Sequence, residues 1–212
     1  MNRNALKRIL GMVIAGMVAS SSASATQVIW TATGALALDV NDNPVPAGSL
    51  VRIGFFTIND ATIAANAANV PFLNANFVEF DSDVVGAGVG GFAGAWSVDS
   101  GQISDPTDIF ANKRITLWVL NAPTLGAATQ QGIFSANLAD WIFPDDDAVV
   151  DNTAIDLSQV NILIVGSQGP SFFIPDVGEL PTFRLAIIPE PTTGMLVGFA
   201  LLGVACLHRR LS

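Results

Sequence analysis

The chain has 212 residues, half of them hydrophobic and only 13% charged, with a formal net charge of −9. That composition excludes intrinsic disorder, which goes with few apolar residues and much charge. It also excludes collagen-like and disulfide-rich scaffolds, given 19 Gly, 11 Pro and a single Cys.

Residues 1–25 have the three parts of a secretory signal peptide. Arg3, Lys7 and Arg8 supply a positive start, and residues 9–19 form an apolar stretch of 11 residues. A run of small residues then ends in Ala23-Ser24-Ala25. Signal peptidase needs small side chains at the first and third positions before its cut, here Ala25 and Ala23. Cleavage is therefore expected between Ala25 and Thr26. No Cys follows the apolar stretch, so the bacterial lipoprotein pathway is not expected.

Residues 26–188 form the exported body, read as one domain. Four basic residues, Arg52, Lys113, Arg114 and Arg184, stand against 17 acidic ones, a net charge of −13. Such a surface repels nucleic acid and anionic membranes, and attracts divalent cations. The expected fold is mainly β, an antiparallel sandwich-like domain with one short helix. Residues 27–37, 49–58, 113–121, 160–167 and 182–188 are rich in β-branched and aromatic side chains and read as strands. Residues 43–48 and 166–170 read as turns. Residues 60–69 are Ala-rich and predict the helix, with Asp60 as its candidate N-cap. Residues 86–94 are a Gly-rich strand or loop.

The body contains no Cys, His or Tyr, because Cys206 and His208 both lie in the tail. Ser-His-Asp and Cys-His catalysis, histidine-bound zinc and disulfides are therefore excluded from it. Gly86-x-Gly88-x-x-Gly91 imitates a dinucleotide fingerprint, but the residues after it read as extended rather than as the opening of a helix. No organic cofactor is expected. Asp39-x-Asn41-x-Asn43 matches the first three ligand positions of a calcium loop. Pro44 then stands where glycine should turn the chain, and Leu50 where the bidentate Glu should be, so this is no EF-hand. Asp39, Asn41 and Asn43 remain weak calcium candidates, beside the turn-forming role that Asp and Asn ordinarily play. Asp81-Ser82-Asp83 and Asp145-Asp146-Asp147 are further oxygen-rich spots. Trp30, Trp96, Trp118 and Trp141 are possible sugar-stacking rings. Trp96 and Trp118 sit in strand-like runs, which leaves Trp141, next to Phe143-Pro144-Asp145, as the best exposed candidate.

The C-terminus has a second address. Pro189-Glu190-Pro191 is followed by Thr192-Thr193, an uncharged run over 194–207, and Arg209-Arg210 near the end. The run of 14 residues is short for a membrane span but can cross with local thinning. The positive-inside rule then keeps Arg209 and Arg210 cytoplasmic. Pro-Glu-Pro, a short apolar helix and terminal arginines in this order resemble the PEP-CTERM sorting signal of Gram-negative bacteria. The resemblance covers residues 189–212, with a transmembrane helix at 194–207. It implies processing by an exosortase, a membrane-embedded cysteine transpeptidase, and an association with exopolysaccharide and biofilm. It also implies a transient inner-membrane anchor followed by release to the cell surface or outside. The two prolines fix φ and keep the motif extended, the form in which a transpeptidase cleft accepts its substrate.

The expected role is that of an exported surface or extracellular-matrix protein with no catalytic residue, handled by signal peptidase and exosortase. A calcium- or carbohydrate-binding module of the matrix, with exopolysaccharide as partner, is the alternative. A carboxylate-dependent glycosidase is the third reading, since paired carboxylates suffice for that chemistry.

Overall fold

A computed structural model describes residues 26–103, 109–144, 152–174 and 178–189. The signal peptide with Ala23 and Ala25, the Asp145–Asp147 run, and Glu190, Pro191, the 194–207 segment, Arg209 and Arg210 lie outside the described residues. Among the described residues no helix is long and apolar enough to cross a membrane.

The main sheet is antiparallel throughout. It comprises β3 (Leu50–Phe56), β4 (Phe77–Val84), β6 (Thr116–Leu120), β7 (Gln130–Ser135) and β14 (Ala186–Ile187), in the order β14-β7-β6-β3-β4. Strand β9 (Ile162–Val165) also pairs with β7. The sequence of β6, Thr-Leu-Trp-Val-Leu, is buried along its whole length. Side chains alternate between faces of a strand, so a continuous apolar run means cover on both sides. Leu117 and Val119 enter one core, while Trp118 and Leu120 enter another.

The first core lies against a second β layer. There β1 (Thr26–Thr31) sits between β5 (Ser97–Ile103) and β8 (Asn152–Asp156). Val28 and Trp30 of β1, Val98 of β5 and Ile155 of β8 pack with Val51, Ile53, Leu117, Val119 and Phe134 of the main sheet. A smaller sheet continues this layer, with β13 (Thr182–Arg184) between β2 (Leu36–Leu38) and β10 (Ser167–Gln168). A hairpin of β11 (Phe172–Ile174) and β12 (Gly178–Leu180) flanks it.

The second core is closed by two short helices, α1 (Asp60–Ala65) and α2 (Val70–Ala75). Their Ile63 and Leu73 cover Trp118, Leu120 and Ile133. Gln131, fully buried in β7, ties this layer down. Its Oε1 accepts from Trp118 Nε1 at 2.9 Å, and its Nε2 donates to the carbonyl of Ala67 between the helices.

Mainly β is therefore correct, with three corrections of detail. Two pairings are parallel, β1 with β8 and β2 with β13. Parallel neighbours need a long crossover, and here most of the main sheet lies between the paired strands in sequence. The stretch read as one helix over 60–69 becomes two helices over 60–75. Asn66 Nδ2 closes the first on the Thr62 carbonyl at 2.9 Å, and Asn69 Oδ1 caps the second by accepting from Phe72 N–H at 3.1 Å. Pro71 can begin a helix but cannot lie inside one that started earlier. The N-cap of α1 is Asn59, which accepts from Thr62 N–H at 2.9 Å, while Asp60 is the first helical residue and pairs with Arg114.

Among the glycines that leave no room for a side chain, two shape the strands around them. A β-bulge falls between Ile53 and Gly54, where a Cβ would stand 2.1 Å from the Val78 carbonyl. In the turns over 85–94, Gly88 has φ +66, and a Cβ there would stand 2.0 Å from the Ser97 carbonyl. This Gly-rich segment runs into β5, not into a helix, as the sequence indicates.

Candidate functional site

Residues 186–188, near the end of the described chain, are hydrogen-bonded to the edge of the main sheet. Strand β14 pairs with β7 at the sheet edge, Ala186 opposite Gln131 and Ile187 opposite Gln130. Ile188 N–H then donates to the Thr129 carbonyl at 2.8 Å. Pro189, with no N–H to offer, is exposed. Asn121 braces the partner strand. Its Oδ1 accepts from Thr129 N–H at 3.0 Å and Gln130 N–H at 2.9 Å, and its Nδ2 reaches Thr129 Oγ1 at 2.9 Å.

Beside this junction is an open groove of about 790 Å³. One wall is the start of α2, with Val70 and Pro71. The other is the 3-10 turn Leu125–Ala127 with Ala128, and Ile188 and Pro189 form one end. Among the described residues, none that lines it is charged. Sequence reasoning missed this groove. Its walls come from the start of a short helix and a 3-10 turn, in stretches to which the sequence reading assigned no element.

The weak calcium candidates do come together, in the turn after β2. Asp39 Oδ1 accepts from Asn41 N–H at 2.7 Å and from Asn43 N–H at 2.9 Å, and Asn43 Nδ2 lies 3.3 Å from Asp39 Oδ2. Burial pushes the Asp39 carboxyl up, and the hydrogen bonds from Asn43 and Asn41 outweigh it, leaving its pKa lowered. The neighbouring Asp42, at φ 65, is bonded to Arg184 Nε at 2.7 Å. Among the described residues no three His, Cys, Asp or Glu side chains cluster as metal ligands would. Asp81 and Asp83 lie on β4, and each accepts from the N–H of the next residue at 2.8 Å.

Trp141 requires a correction. It is fully buried, and its Nε1 donates to Gln159 Oε1 at 3.0 Å. The 3-10 turn Ala139–Trp141 rotates the ring into the main core, so it offers no face to a sugar. All four tryptophans are fully buried, and among the described residues the large exposed aromatic rings are those of Phe92 and Phe173. A small second cleft contains one carboxylate, Asp60, which is paired with Arg114.

Residues 188–210 match the PEP-CTERM protein-sorting motif. No curated protein and no solved structure matches the chain. The match confirms the tail resemblance and supports a protein sorted by an exosortase. It implies export, with a surface or extracellular destination in a Gram-negative bacterium. It begins at Ile188, the last of the described residues that is bonded to the sheet.

Proposed function

We propose that this is a non-catalytic surface or extracellular-matrix protein whose β-rich body is cargo, delivered by its tail. Signal peptidase removes residues 1–25, residues 194–207 hold the precursor in the inner membrane, and exosortase acts at Pro189-Glu190-Pro191. The observation that carries this reading is the junction: the body is ordered by hydrogen bonds up to Ile188 and exposes Pro189, the first residue of the tripeptide. The absence of Cys, His and Tyr from 26–188 supports a non-catalytic role.

Replacing Pro189, Glu190 and Pro191 together with alanine tests the reading by cell fractionation. The variant precursor is expected to accumulate in the inner membrane while the wild type reaches the surface or medium. Release of the variant at the wild-type rate overturns the proposal.

A further inference from the structure

The groove borders the first residues of the sorting motif, Ile188 and Pro189, and extends away from them along the body. We infer that it is a docking surface for the enzyme that processes the tail, which seats an uncharged, apolar segment of its own chain between α2 and the Leu125–Ala127 turn. This deepens the proposed function and rests on it.

Continuity carries the inference. Ile188 and Pro189 both line the groove and open the matched motif. An extended chain advances about 3.5 Å per residue, so Pro191 lies within about 7 Å of Pro189. A protein large enough to grip the tripeptide therefore lies against the groove mouth. The groove volume of about 790 Å³ falls in the range that buries a small ligand or a few side chains. Its walls are also fixed in advance. Asn69 caps α2 and Asn121 brackets the Thr129–Gln130 segment, so little ordering is needed on binding.

A protein segment suits this surface better than a lipid one. Membrane-surface binding uses protruding apolar side chains flanked by Lys or Arg. This site is concave and its described lining is uncharged, on a body of net charge −13 that anionic lipid repels. An acidic body gains specificity by keeping its charges out of the contact, where they would have to be desolvated.

Gly126→Glu in the full-length chain tests the inference. A Cβ at Gly126 meets nothing within 4 Å, so the substitution places a charge at the groove without disturbing the fold. Ala127→Glu, at a neighbouring exposed position, is the second variant. Tail processing is followed by pulse-chase in cells that contain the enzyme, alongside the triple-alanine motif variant. Unfolding temperature is measured in parallel, and binding to phosphatidylethanolamine–phosphatidylglycerol vesicles is measured on the same variants ended after Pro189, which keep every strand and helix of the body and lack the 194–207 segment.

Both groove variants are expected to slow processing about tenfold, the scale of one lost anchoring contact, with unchanged melting and unchanged vesicle binding. Wild-type processing of both groove variants, while the motif variant is blocked, overturns the docking inference and leaves the sorting reading intact. Normal processing of the motif variant overturns the sorting reading instead. Groove variants that lose vesicle binding would assign the surface to lipid and overturn the enzyme as its occupant.

Discussion

Arg52 and Trp118 face each other across β3 and β6, and the guanidinium carbon lies 4.9 Å from the indole centroid. Phe77 takes the same cation at 4.7 Å, while Glu79 and Asn74 Oδ1 accept its N–H groups. An almost fully buried arginine is thus satisfied by two rings, a carboxylate and an amide. Arg52→Ala is expected to cost roughly 2–3 kcal/mol from the lost ring and hydrogen-bond contacts. Arg52→Lys is expected to recover less than half, because an ammonium cannot reproduce the planar fork. Urea unfolding of the purified body measures both.

The tryptophans differ in a way that mutation can read. Trp118 and Trp141 have indole N–H partners, Gln131 and Gln159, whereas Trp30 and Trp96 have none among the described residues. Trp118→Phe strands the buried Gln131 Oε1 and is expected to cost about 1–3 kcal/mol beyond the lost ring area. Trp30→Phe loses ring area alone. The difference between the two, in one denaturant series, is the check.

Asp156 is expected to make the body acid-sensitive. Its carboxylate accepts from Gly34 N–H at 3.2 Å, Thr33 N–H at 3.0 Å and Ser158 N–H at 2.8 Å, and also from Thr31 Oγ1. Burial pushes its pKa up, and these hydrogen bonds outweigh burial, so the pKa falls below the ordinary 3.8. A lowered folded-state pKa stabilises fully above the unfolded value and less as pH drops through the folded one. Stability is therefore expected to decline below about pH 4 partly through this group. Asp156→Asn should flatten that limb of the melting-temperature profile and lower its neutral-pH plateau.

Gly54 and Gly88 tolerate no side chain. Gly54→Ala drives a methyl into the Val78 carbonyl at the bulge, and Gly88→Ala adds an unfavourable positive φ to a contact with Ser97. Each is expected to cost about 1–3 kcal/mol, whereas Gly126→Ala, which meets nothing within 4 Å, should be nearly silent. Thermal melting of the three variants separates them.

The turn at Asp39 has a direct assay. With Asp39 Oδ1 already accepting two backbone N–H groups, Asp39→Ala should destabilise the body by about 1 kcal/mol. Millimolar calcium should leave the wild-type melting temperature unchanged. A rise with calcium that Asp39→Ala abolishes would show the turn serving as a cation site instead.

What was legible in the sequence follows from how local the signals were. Strands such as β3 and β6 announce themselves by dense β-branched and aromatic residues. The polar Ser-Val-Asp-Ser-Gly-Gln-Ile of β5 and Gln-Gln-Gly-Ile-Phe-Ser of β7 do not, because their partners decide their state. Parallel pairing of β1 with β8 depends on residues over 100 positions apart, which no window detects. Trp141 reads as exposed from the nearby Pro144-Asp145, whereas its burial is set by the 3-10 turn Ala139–Trp141 that carries it. The sorting tripeptide was plain, being a contiguous motif with its context alongside. The groove was not, since it exists only where Val70, Leu125 and Ile188 converge.

The bond from Ile188 to Thr129 also defines a load path. Any tension applied to the body through its C-terminal tail reaches that single bond first, then the two-residue strand β14 at the sheet edge. Behind β14, Leu185 N–H is bonded to Leu38 at 2.9 Å, and β13 lies between β2 and β10. A pull therefore peels a few edge contacts before it reaches the strands that enclose the tryptophans. The junction behaves as a mechanical fuse, yielding at the margin of the sheet while the double core stays closed.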